Sequence, residues 1–275
     1  MTPATAESAL DDRFLDHALT VAKDAAAAAA EVIARHYRAG VAVETKADQT
    51  PVTVADREAE GAIKRTLKAA FADHAYYGEE EGREGNGDFL WLIDPIDGTR
   101  SFVRGYPMFS TQIALMHRGE LVLGVSSASE FGELAWARRG GGARIESDRL
   151  GARPLRIAAT SEFDAATAIS FGNVKTLSRG AGWQTLAGLI QRCGRTRGYG
   201  DFYHYHLLAR GSLDLVIESD VNILDIAALA VIVREAGGVF TDLRGHELDL
   251  DTTSVLAGTP ALHAQALALF ANAGV

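Results

Sequence analysis

Two aspartates stand close together at the end of an apolar segment, and their chemistry is that of metal ligands. Asp94 and Asp97 follow the apolar run 89–93, which predicts a buried strand. Pro95 restricts one backbone angle and Gly98 permits a left-handed one, so the two carboxylates should share a compact turn. Carboxylates this close repel each other unless a cation lies between them, and their oxygens suit a hard ion such as Mg²⁺. An acidic turn that merely ends a core strand is the alternative.

Three other acidic residues lie at the ends of predicted elements. Asp56 falls in the first turn of a helix predicted for residues 54–71, and Asp225 opens a helix predicted for residues 223–236. Glu79 lies in an acidic turn before the strand that leads to the two aspartates. A helix N terminus stabilises a carboxylate and also favours a bound phosphate. Helix capping alone would explain Asp56 and Asp225, and a solvated loop would explain Glu79, so a shared site is one of two interpretations.

The composition limits the classes of function open to this chain. It has 275 residues, of which 47% are hydrophobic and 23% charged, and these are ordinary values for a globular protein. The formal net charge of -9 argues against nonspecific binding of nucleic acid, which depends on Lys and Arg neutralising phosphates. It does not argue against a phosphorylated substrate, because bound metal ions can dominate the local field. Cys193 is the only cysteine, so neither an internal disulfide nor a cysteine zinc site is expected.

The sequence shows no sign of a membrane segment or of export. No apolar stretch approaches the roughly 18 residues that are needed to span a bilayer. Residues 1–12 are polar and acidic, and they lack the basic start and apolar core of a signal peptide. We therefore expect a cytoplasmic protein without a membrane partner.

The hydrophobic pattern predicts helices and strands in two halves. Residues 11–38 show helical spacing, and three segments with alternating polarity predict an antiparallel meander. Gly140-Gly-Gly142 and the polar stretch up to Pro154 mark the boundary, which gives an N-terminal half, 1–148, and a C-terminal half, 149–275. The alternation of strands and helices in the second half indicates an α/β layer. The predicted strands lie at 41–44, 110–117, 121–127, 134–137, 155–158, 168–171, 196–198, 213–217, 239–240 and 254–257, and the remaining helices lie at 183–191, 202–210 and 260–271.

Four motifs, taken in order, resemble the Mg²⁺-dependent inositol monophosphatase-like phosphatases over almost the full chain. They are Gly78-Glu79-Glu80, the segment 91–99 (WLIDPIDGT), Leu224-Asp225-Ile-Ala-Ala and Glu235-Ala-Gly-Gly238. The resemblance implies a five-layered α/β/α/β/α sandwich, the hydrolysis of a small phosphate monoester with two to three Mg²⁺ per site, and a homodimer. Leu224 departs from the family, much of which has tryptophan there, and this difference bears on the shape of the pocket.

The resemblance also implies which residues hold the metal ions. Glu79, Asp94 and the backbone carbonyl of Ile96 would hold the first ion. Asp94, as a bridge, would hold the second together with Asp97 and Asp225. A third ion, more weakly held, would lie near Glu79.

Further roles that the resemblance implies concern water and phosphate. Asp56 and Thr99 would orient and deprotonate the attacking water, and Glu79 would assist. Gly98 and Thr99 would leave backbone N–H groups open to the phosphate. Lys46 matches a lysine just ahead of the helix that carries Asp56, and a surface charge is the alternative.

The choice of substrate depends on residues near the predicted metal site. Thr99-Arg-Ser-Phe102 and the segment 199–205 (YGDFYHY) resemble the histidinol-phosphate phosphatase branch of the family. Arg100 would then bind substrate, and Asp201 and Glu218 would accept the ammonium and imidazole groups of L-histidinol phosphate. The alternative is that Asp201 caps the next helix while the aromatic residues belong to the core.

Three functions follow, in order of preference. The first is a histidinol-phosphate phosphatase of histidine biosynthesis, and the second is a phosphatase of inositol monophosphate or of another small sugar or nucleotide phosphate. The third is a regulatory binding protein on the same fold. His204 and His206 are two residues apart, so a helix would point them to different faces, and we expect them at the surface or at a dimer interface.

Overall fold

The computed structural model describes residues 10–39, 43–45, 51–149, 151–180 and 182–272. The helices are α1 (Asp12–Ala39), α2 (Val54–Ala70), α3 (Thr99–Val103), α4 (Val174–Leu177), α5 (Trp183–Arg192), α6 (Tyr203–Ala209), α7 (Ile223–Glu235) and α8 (Pro260–Asn272), with a 3-10 turn at Ser129–Phe131. The strands are β1 (Val43–Thr45), β2 (Pro51–Thr53), β3 (Ala75–Gly78), β4 (Gly82–Glu84), β5 (Phe89–Asp97), β6 (Ser110–His117), β7 (Glu120–Ala128), β8 (Glu133–Arg138), β9 (Gly142–Ser147), β10 (Gly151–Pro154), β11 (Ala168–Phe171), β12 (Arg195–Arg197), β13 (Leu215–Ser219), β14 (Val239–Thr241) and β15 (Ser254–Gly258). None of the described helices is long and apolar enough to cross a membrane.

The strands form one large and one smaller sheet, beside the short hairpin β1–β2. The large sheet has the order β10-β9-β8-β7-β6-β5-β3-β4, and only the pair β3–β5 is parallel. The smaller sheet has the order β12-β11-β13-β15-β14, in which β11 runs parallel to both of its neighbours. Strand β13 carries Glu218, and β5 leads to the two aspartates, so the two sheets each deliver residues toward the candidate site.

The run that precedes Asp94 is apolar throughout because β5 is covered on both faces. Leu90 and Leu92 pack into the core that contains α6 and α7, whereas Trp91 and Ile93 pack into the core that contains α1 and α2. Successive side chains of a strand point to opposite faces, so a strand buried on both sides needs apolar residues at every position. The predicted buried strand is therefore confirmed.

Helix α7 forms the middle layer of the molecule. Ten of its residues are buried, from Ile223 to Val233, and they contribute to the core between the two sheets. A helix that is apolar on all sides is stable only when it is enclosed, as it is here. Helices α5 and α8 cover the outer face of the smaller sheet through Leu186, Leu189, Leu262 and Phe270. The layers run α1/α2, large sheet, α6/α7, smaller sheet, α5/α8, which confirms the expected α/β/α/β/α sandwich.

One expectation about the middle of the chain is wrong. The strand predicted at 155–158 does not form, because the strand ends at Pro154, and the described residues beyond it are irregular. The polar stretch 140–154 is instead the antiparallel hairpin β9–β10, which extends the large sheet at its edge. Its polar composition reflects the exposure of an edge strand. The proposed division of the chain at residue 148 falls in this hairpin and stays a prediction.

Candidate active site

A β-bulge brings Asp94 and Asp97 to the same side of strand β5. Opposite them on β6, Asp94 pairs with Gln112 and Asp97 pairs with Ser110, so three steps along β5 match two along β6. One extra residue in a bulged strand changes which face the later side chains occupy. The Ile96 amide donates to Asp94 Oδ1 over 3.0 Å and so helps to fix that carboxylate. The strand thus continues through both aspartates, where the sequence predicted that it would break into a turn before them.

Gly98 ends the strand in a conformation that other residues would not tolerate. Its φ angle is 89°, and a Cβ atom would lie 2.6 Å from the carbonyl oxygen of Met108. Helix α3 follows directly, and its first residue places the Thr99 hydroxyl 3.0 Å from the carbonyl oxygen of Ile96. The same hydroxyl lies 3.4 Å from Asp56 Oδ1, and Asp56 is fully buried. Asp56 and Thr99 therefore meet, as the sequence predicts.

Asp225 is both a helix-capping residue and a member of the acidic cluster. Its carboxylate accepts from the amide of Asn222 (2.9 Å) and from the Asn222 side chain (2.8 Å), which completes a capping box with the Asn222–Leu224 bond. Oxygens of Asp94, Asp97 and Asp225 all lie within 4.8 Å of one another. The capping interpretation and the metal-site interpretation are therefore compatible, because the cap orients the carboxylate toward the other two.

Glu60, which the sequence did not single out, supports the turn that carries Glu79. Glu60 is fully buried, and its carboxylate accepts from the amides of Glu80 (2.7 Å) and Glu81 (3.1 Å) and from the Lys64 ammonium (2.7 Å). A Cβ on Gly78 would lie 2.1 Å from Glu60 Oε1, which explains the glycine at that position. A signal existed in the sequence, since Glu60 lies one helical turn after Asp56 and so shares its face of α2.

Burial, and after it the charges of neighbouring acids, raises the pKa of the carboxyl groups in this site. Burial, followed by the charges of Glu79, Asp97 and Asp225, raises the pKa of Asp94 well above its usual range. Burial and the neighbouring acids have the same effect on the pKa of Asp97, and burial is also the main reason that the pKa of Asp225 rises to about 6. Such a group of carboxylates is stable in its charged form only with a cation. A set of carboxylates with the carbonyl of Ile96 beside them fits a hard divalent ion.

Two adjoining cavities form one cleft over the acidic cluster. Their volumes are about 360 Å³ and about 330 Å³. The first contains most of the predicted site residues, namely Glu79, Asp94, Ile96, Asp97, Gly98, Thr99, Arg100, Asp201 and Asp225. The second adds Glu218 and shares Asp97, Arg100, Asp201 and Asp225 with the first. Asn173 and Asp220 line both cavities and were not predicted; each has a positive φ, for which Asn and Asp are the usual non-glycine residues.

Asp201 lies in the cleft and does not cap helix α6. Phe202 is the N-cap of α6, and the described residues show no side-chain hydrogen bond to that helix end, so the capping interpretation is wrong. Burial and the charge of Glu218 raise the pKa of Asp201 to about 6. Arg100 is exposed at the cleft, and Lys46 lies outside the described residues. Acidic groups therefore dominate this part of the cleft.

His204 and His206 are buried, and the expectation of a surface position is wrong. His204 Nε2 lies 3.0 Å from Glu218 Oε2, and His206 Nε2 lies 2.9 Å from the Ser126 hydroxyl. The two side chains do point to different sides of α6, one toward the smaller sheet and one toward the large sheet. The polar partners that make this burial tolerable come from strands distant in the sequence.

A layered α/β fold with a group of carboxylates converging at one cleft is suited to metal-assisted chemistry. The family model described as "Inositol monophosphatase family" matches residues 15–274. The chain belongs to the inositol monophosphatase family, which is generally metal-dependent, and it is a phosphoric monoester hydrolase.

Similar proteins agree with this assignment. The histidinol-phosphatase of Mycobacterium tuberculosis is 41% identical over 207 residues, which cover 74% of this chain and 78% of the relative. The histidinol-phosphatase of Streptomyces coelicolor is 38% identical over 240 residues, which cover 86% and 88%. Among solved structures, the extragenic suppressor protein suhB of Bartonella henselae matches with a TM-score of 0.82 and 28% identity, and the match covers 92% of this chain and 98% of that one.

Proposed function

We propose that this protein hydrolyses L-histidinol phosphate to L-histidinol and phosphate, in histidine biosynthesis, with Mg²⁺ as its metal. The observation that carries the proposal is the pair of carboxylates, Asp201 and Glu218, in the cleft beside the metal-binding acids. L-Histidinol carries an ammonium group and an imidazole, and both are stabilised by nearby carboxylates. A neutral inositol ring would gain less from such surroundings. The two histidinol-phosphatases that the chain resembles support the same substrate.

The residues of the cluster would bind two to three metal ions. Glu79, Asp94 and the carbonyl of Ile96 would hold one ion, and Asp94, Asp97 and Asp225 would hold a second. A third would lie near Glu79. Bound metal ions would lower the pKa of water and neutralise charge on the phosphate.

The chain's own residues would move the proton and position the ester. Thr99 and Asp56 form a hydrogen-bonded pair that can orient a water and accept its proton, with the carboxylate of Glu79 assisting. The backbone N–H groups of Gly98 and Thr99 would bind phosphate oxygens. Asp56 is suited to this role because its buried carboxylate lies 3.4 Å from the Thr99 hydroxyl and can accept its proton.

The leaving alcohol would lie in the second cavity. Asp201 and Glu218 would accept hydrogen bonds from the ammonium and the imidazole, and Arg100 would bind the substrate at the open side of the cleft. Lys46 would add a positive charge near the phosphate. The protein would act in the cytoplasm as a homodimer, which sedimentation of the purified protein would test.

The decisive experiment compares two substrates. We expect a clearly higher kcat/KM for L-histidinol phosphate than for inositol 1-phosphate, both measured with Mg²⁺. A higher kcat/KM for inositol 1-phosphate would show that the protein is a metal-dependent phosphatase with a different substrate. A folded protein that hydrolyses no phosphate monoester, with or without Mg²⁺, would refute the proposed enzyme and favour a regulatory binding protein.

Replacing Asp201 tests the substrate pocket directly. Asp201→Ala should raise KM for L-histidinol phosphate about tenfold, because it removes a charged hydrogen-bond acceptor. KM for 4-nitrophenyl phosphate, whose leaving group carries no cation, should stay unchanged. An equal loss on both substrates would show that Asp201 does not recognise the histidinol group.

A further inference from the structure

Glu218 is held in place by two neighbouring side chains of helix α6. Its Oε2 atom accepts a hydrogen bond from the Tyr205 hydroxyl at 2.6 Å and lies 3.0 Å from His204 Nε2. His204 and Tyr205 are both buried, and Glu218 itself is only 7% exposed. The Oε2 atom of this carboxylate therefore interacts with His204 and Tyr205 within the protein.

The carboxylate of Glu218 only accepts hydrogen bonds, so the Nε2 atom of His204, 3.0 Å away, carries the proton that it donates to Oε2. Ser170 Oγ accepts from the amide of Tyr199 over 3.2 Å and lies 3.3 Å from His204 Nδ1. The Nδ1 side of the ring is therefore held by the serine hydroxyl, while the Nε2–H group donates to Glu218. Two donors, the imidazole N–H and the phenol, then converge on Oε2.

The second oxygen of Glu218 lies where only glycine leaves room for it. A Cβ on Gly172 would lie 1.8 Å from Glu218 Oε1 and 2.5 Å from its carboxyl carbon. Gly172 follows strand β11, and its amide donates to the carbonyl of Ile217, the residue before Glu218. Gly172 and Glu218 both line the second cavity. The carboxylate is thus anchored through Oε2, and its Oε1 occupies the space that Gly172 leaves open beside the cleft.

We propose that His204, Tyr205 and Gly172 are positioning residues that determine specificity, because they fix Glu218 with Oε1 available to a cationic group of the substrate's alcohol. The inference rests on the proposed function, since it assigns a cationic substrate to the same cleft. Recognition would then depend on a single rotamer of Glu218. The two buried donors, His204 and Tyr205, and the space beside Gly172 select that rotamer. A preorganised acceptor does not lose rotamer entropy when the ligand binds.

A purely structural role for these residues predicts a different result. Loss of a buried hydrogen bond would then lower stability and would affect all substrates to the same degree. A positioning role predicts a change confined to ligands that carry the cation, expressed in KM and in binding rather than in kcat. The two roles therefore separate on a comparison of substrates.

Tyr205→Phe is the sharpest test, because it removes one hydroxyl and keeps the ring. We expect KM for L-histidinol phosphate to rise about tenfold, as for the loss of one hydrogen bond to a charged group. Binding of L-histidinol, measured by calorimetry, should weaken by a similar factor. The kcat for L-histidinol phosphate, and KM for 4-nitrophenyl phosphate, should remain as in the wild type.

Tyr203→Phe is the matched control, since it removes a hydroxyl from the same helix. The ring of Tyr203 packs against Phe131, Tyr199 and Phe202, and its hydroxyl makes no hydrogen bond within the described part of the chain. It should behave as the wild type. Gly172→Ala provides a second route to the same prediction, because the added methyl group would displace Oε1 without removing a donor. If Tyr205→Phe does not fold, Gly172→Ala alone decides the question.

The possible results separate the inference from the proposed function. A wild-type protein that neither hydrolyses L-histidinol phosphate nor binds L-histidinol overturns both. A wild-type protein that does so, with variants that keep its KM and its affinity for L-histidinol, overturns the inference alone. Equal losses on L-histidinol phosphate and 4-nitrophenyl phosphate also overturn it, because they indicate a structural role.

Discussion

Acidic residues at two places in this protein differ in how their charge is compensated. In the first, the site cluster of Asp94, Asp97 and Asp225, carboxylates lie within 4.8 Å of each other, and their pKa values are raised. In the second, Glu133 receives a hydrogen bond from Arg210 at 2.6 Å and lies 3.3 Å from His206. Burial would raise the pKa of Glu133, but these two partners hold it at about 2.

The contrast separates acids that stabilise the fold from acids that serve the site. Glu133 carries its counter-charge within the protein, as a structural ion pair must when it is partly removed from water. In the site cluster, burial is the main cause of the raised pKa values, and the charged groups that shift them further are other acids and not cations. Strongly perturbed carboxylates in a cleft are characteristic of functional sites.

A chain of neutral polar side chains connects the two groups. Gln112 donates to the hydroxyls of Ser110 (2.7 Å) and Ser126 (3.1 Å), and Ser126 in turn meets His206. Ser110 lies 3.4 Å from Asp97 Oδ2. In this chain, neutral polar side chains therefore separate the ion pair of Arg210 and Glu133 from the site cluster. This arrangement orients Asp97 without neutralising it, so its charge remains available to a metal ion.

The largest expected effect follows from removing one charge of the site cluster. Asp94→Asn should lower kcat/KM by about a thousandfold, the loss seen when a group that stabilises the transition state is removed. In the metal-free protein the same variant should unfold at the same or a higher temperature than the wild type, because it removes repulsion. Asp88→Asn, which alters an exposed ion pair with Arg118, should leave activity unchanged. A metal-free Asp94→Asn protein that is clearly less stable would contradict the comparison.

The next largest effect is the pH dependence of stability in the metal-free protein. The folded pKa of Asp225 is raised from 3.8 to about 6, so its contribution to stability is present below about pH 4 and is lost as the pH rises through about 6. A shift of about two pKa units corresponds to about 3 kcal/mol. In the presence of a metal chelator, the free energy of unfolding of Asp225→Asn relative to the wild type should therefore rise between about pH 4 and pH 7, on top of a pH-independent loss from the broken capping box.

The measurement is urea unfolding of both proteins across that pH range, without metal and with saturating Mg²⁺. Mg²⁺ should reverse the order of stability near neutral pH, because only the wild type keeps the full set of ligands. A stability difference that is independent of pH would show that the acids of the cluster do not repel each other.

Some features that form the site cluster could be predicted from the sequence, but others could not. Strands β6 and β11 were predicted at their observed bounds, because the residue pattern within 110–117 and 168–171 and the turn residues beside them are clear locally. The bulge at Asp94 and Asp97 has no such pattern, since it depends on the register with β6. Convergence of Asp225 with those two aspartates followed from the resemblance to a family, and not from any local spacing.

The hydrogen-bond partners of buried polar side chains were also not predicted from the sequence. His206 was expected at the surface or at a dimer interface because its spacing from His204 points the two side chains to different faces of a helix. Its partner Ser126 lies 80 residues away in the chain, and no local pattern indicates that contact. For Glu60 the helical spacing from Asp56 indicates the face of α2 that it occupies, but not its partners, since the amides that it binds belong to the turn after β3. Local periodicity cannot show which polar side chains a distant element will satisfy.

The smallest of these effects tests the compensated group. Glu133→Gln should lower the free energy of unfolding by about 2 kcal/mol near neutral pH, because it leaves Arg210 without its partly buried partner. The folded pKa of Glu133 is depressed to about 2, so the stabilisation is present above the unfolded value of 4.5 and is lost as the pH falls toward about 2. This direction is opposite to that of Asp225, and kcat of the folded variant should stay close to the wild-type value.

Adding Arg210→Met to Glu133→Gln would give the coupling between the two side chains by a double-mutant cycle. If the pair is structural, the double variant should recover part of the lost stability, since neither charge is then left alone. Loss of activity without loss of stability would instead show that Glu133 acts on the site cluster through His206, Ser126 and Gln112. In that case the two groups of acids would form one functional unit, and the neutral chain between them would transmit charge as well as orientation.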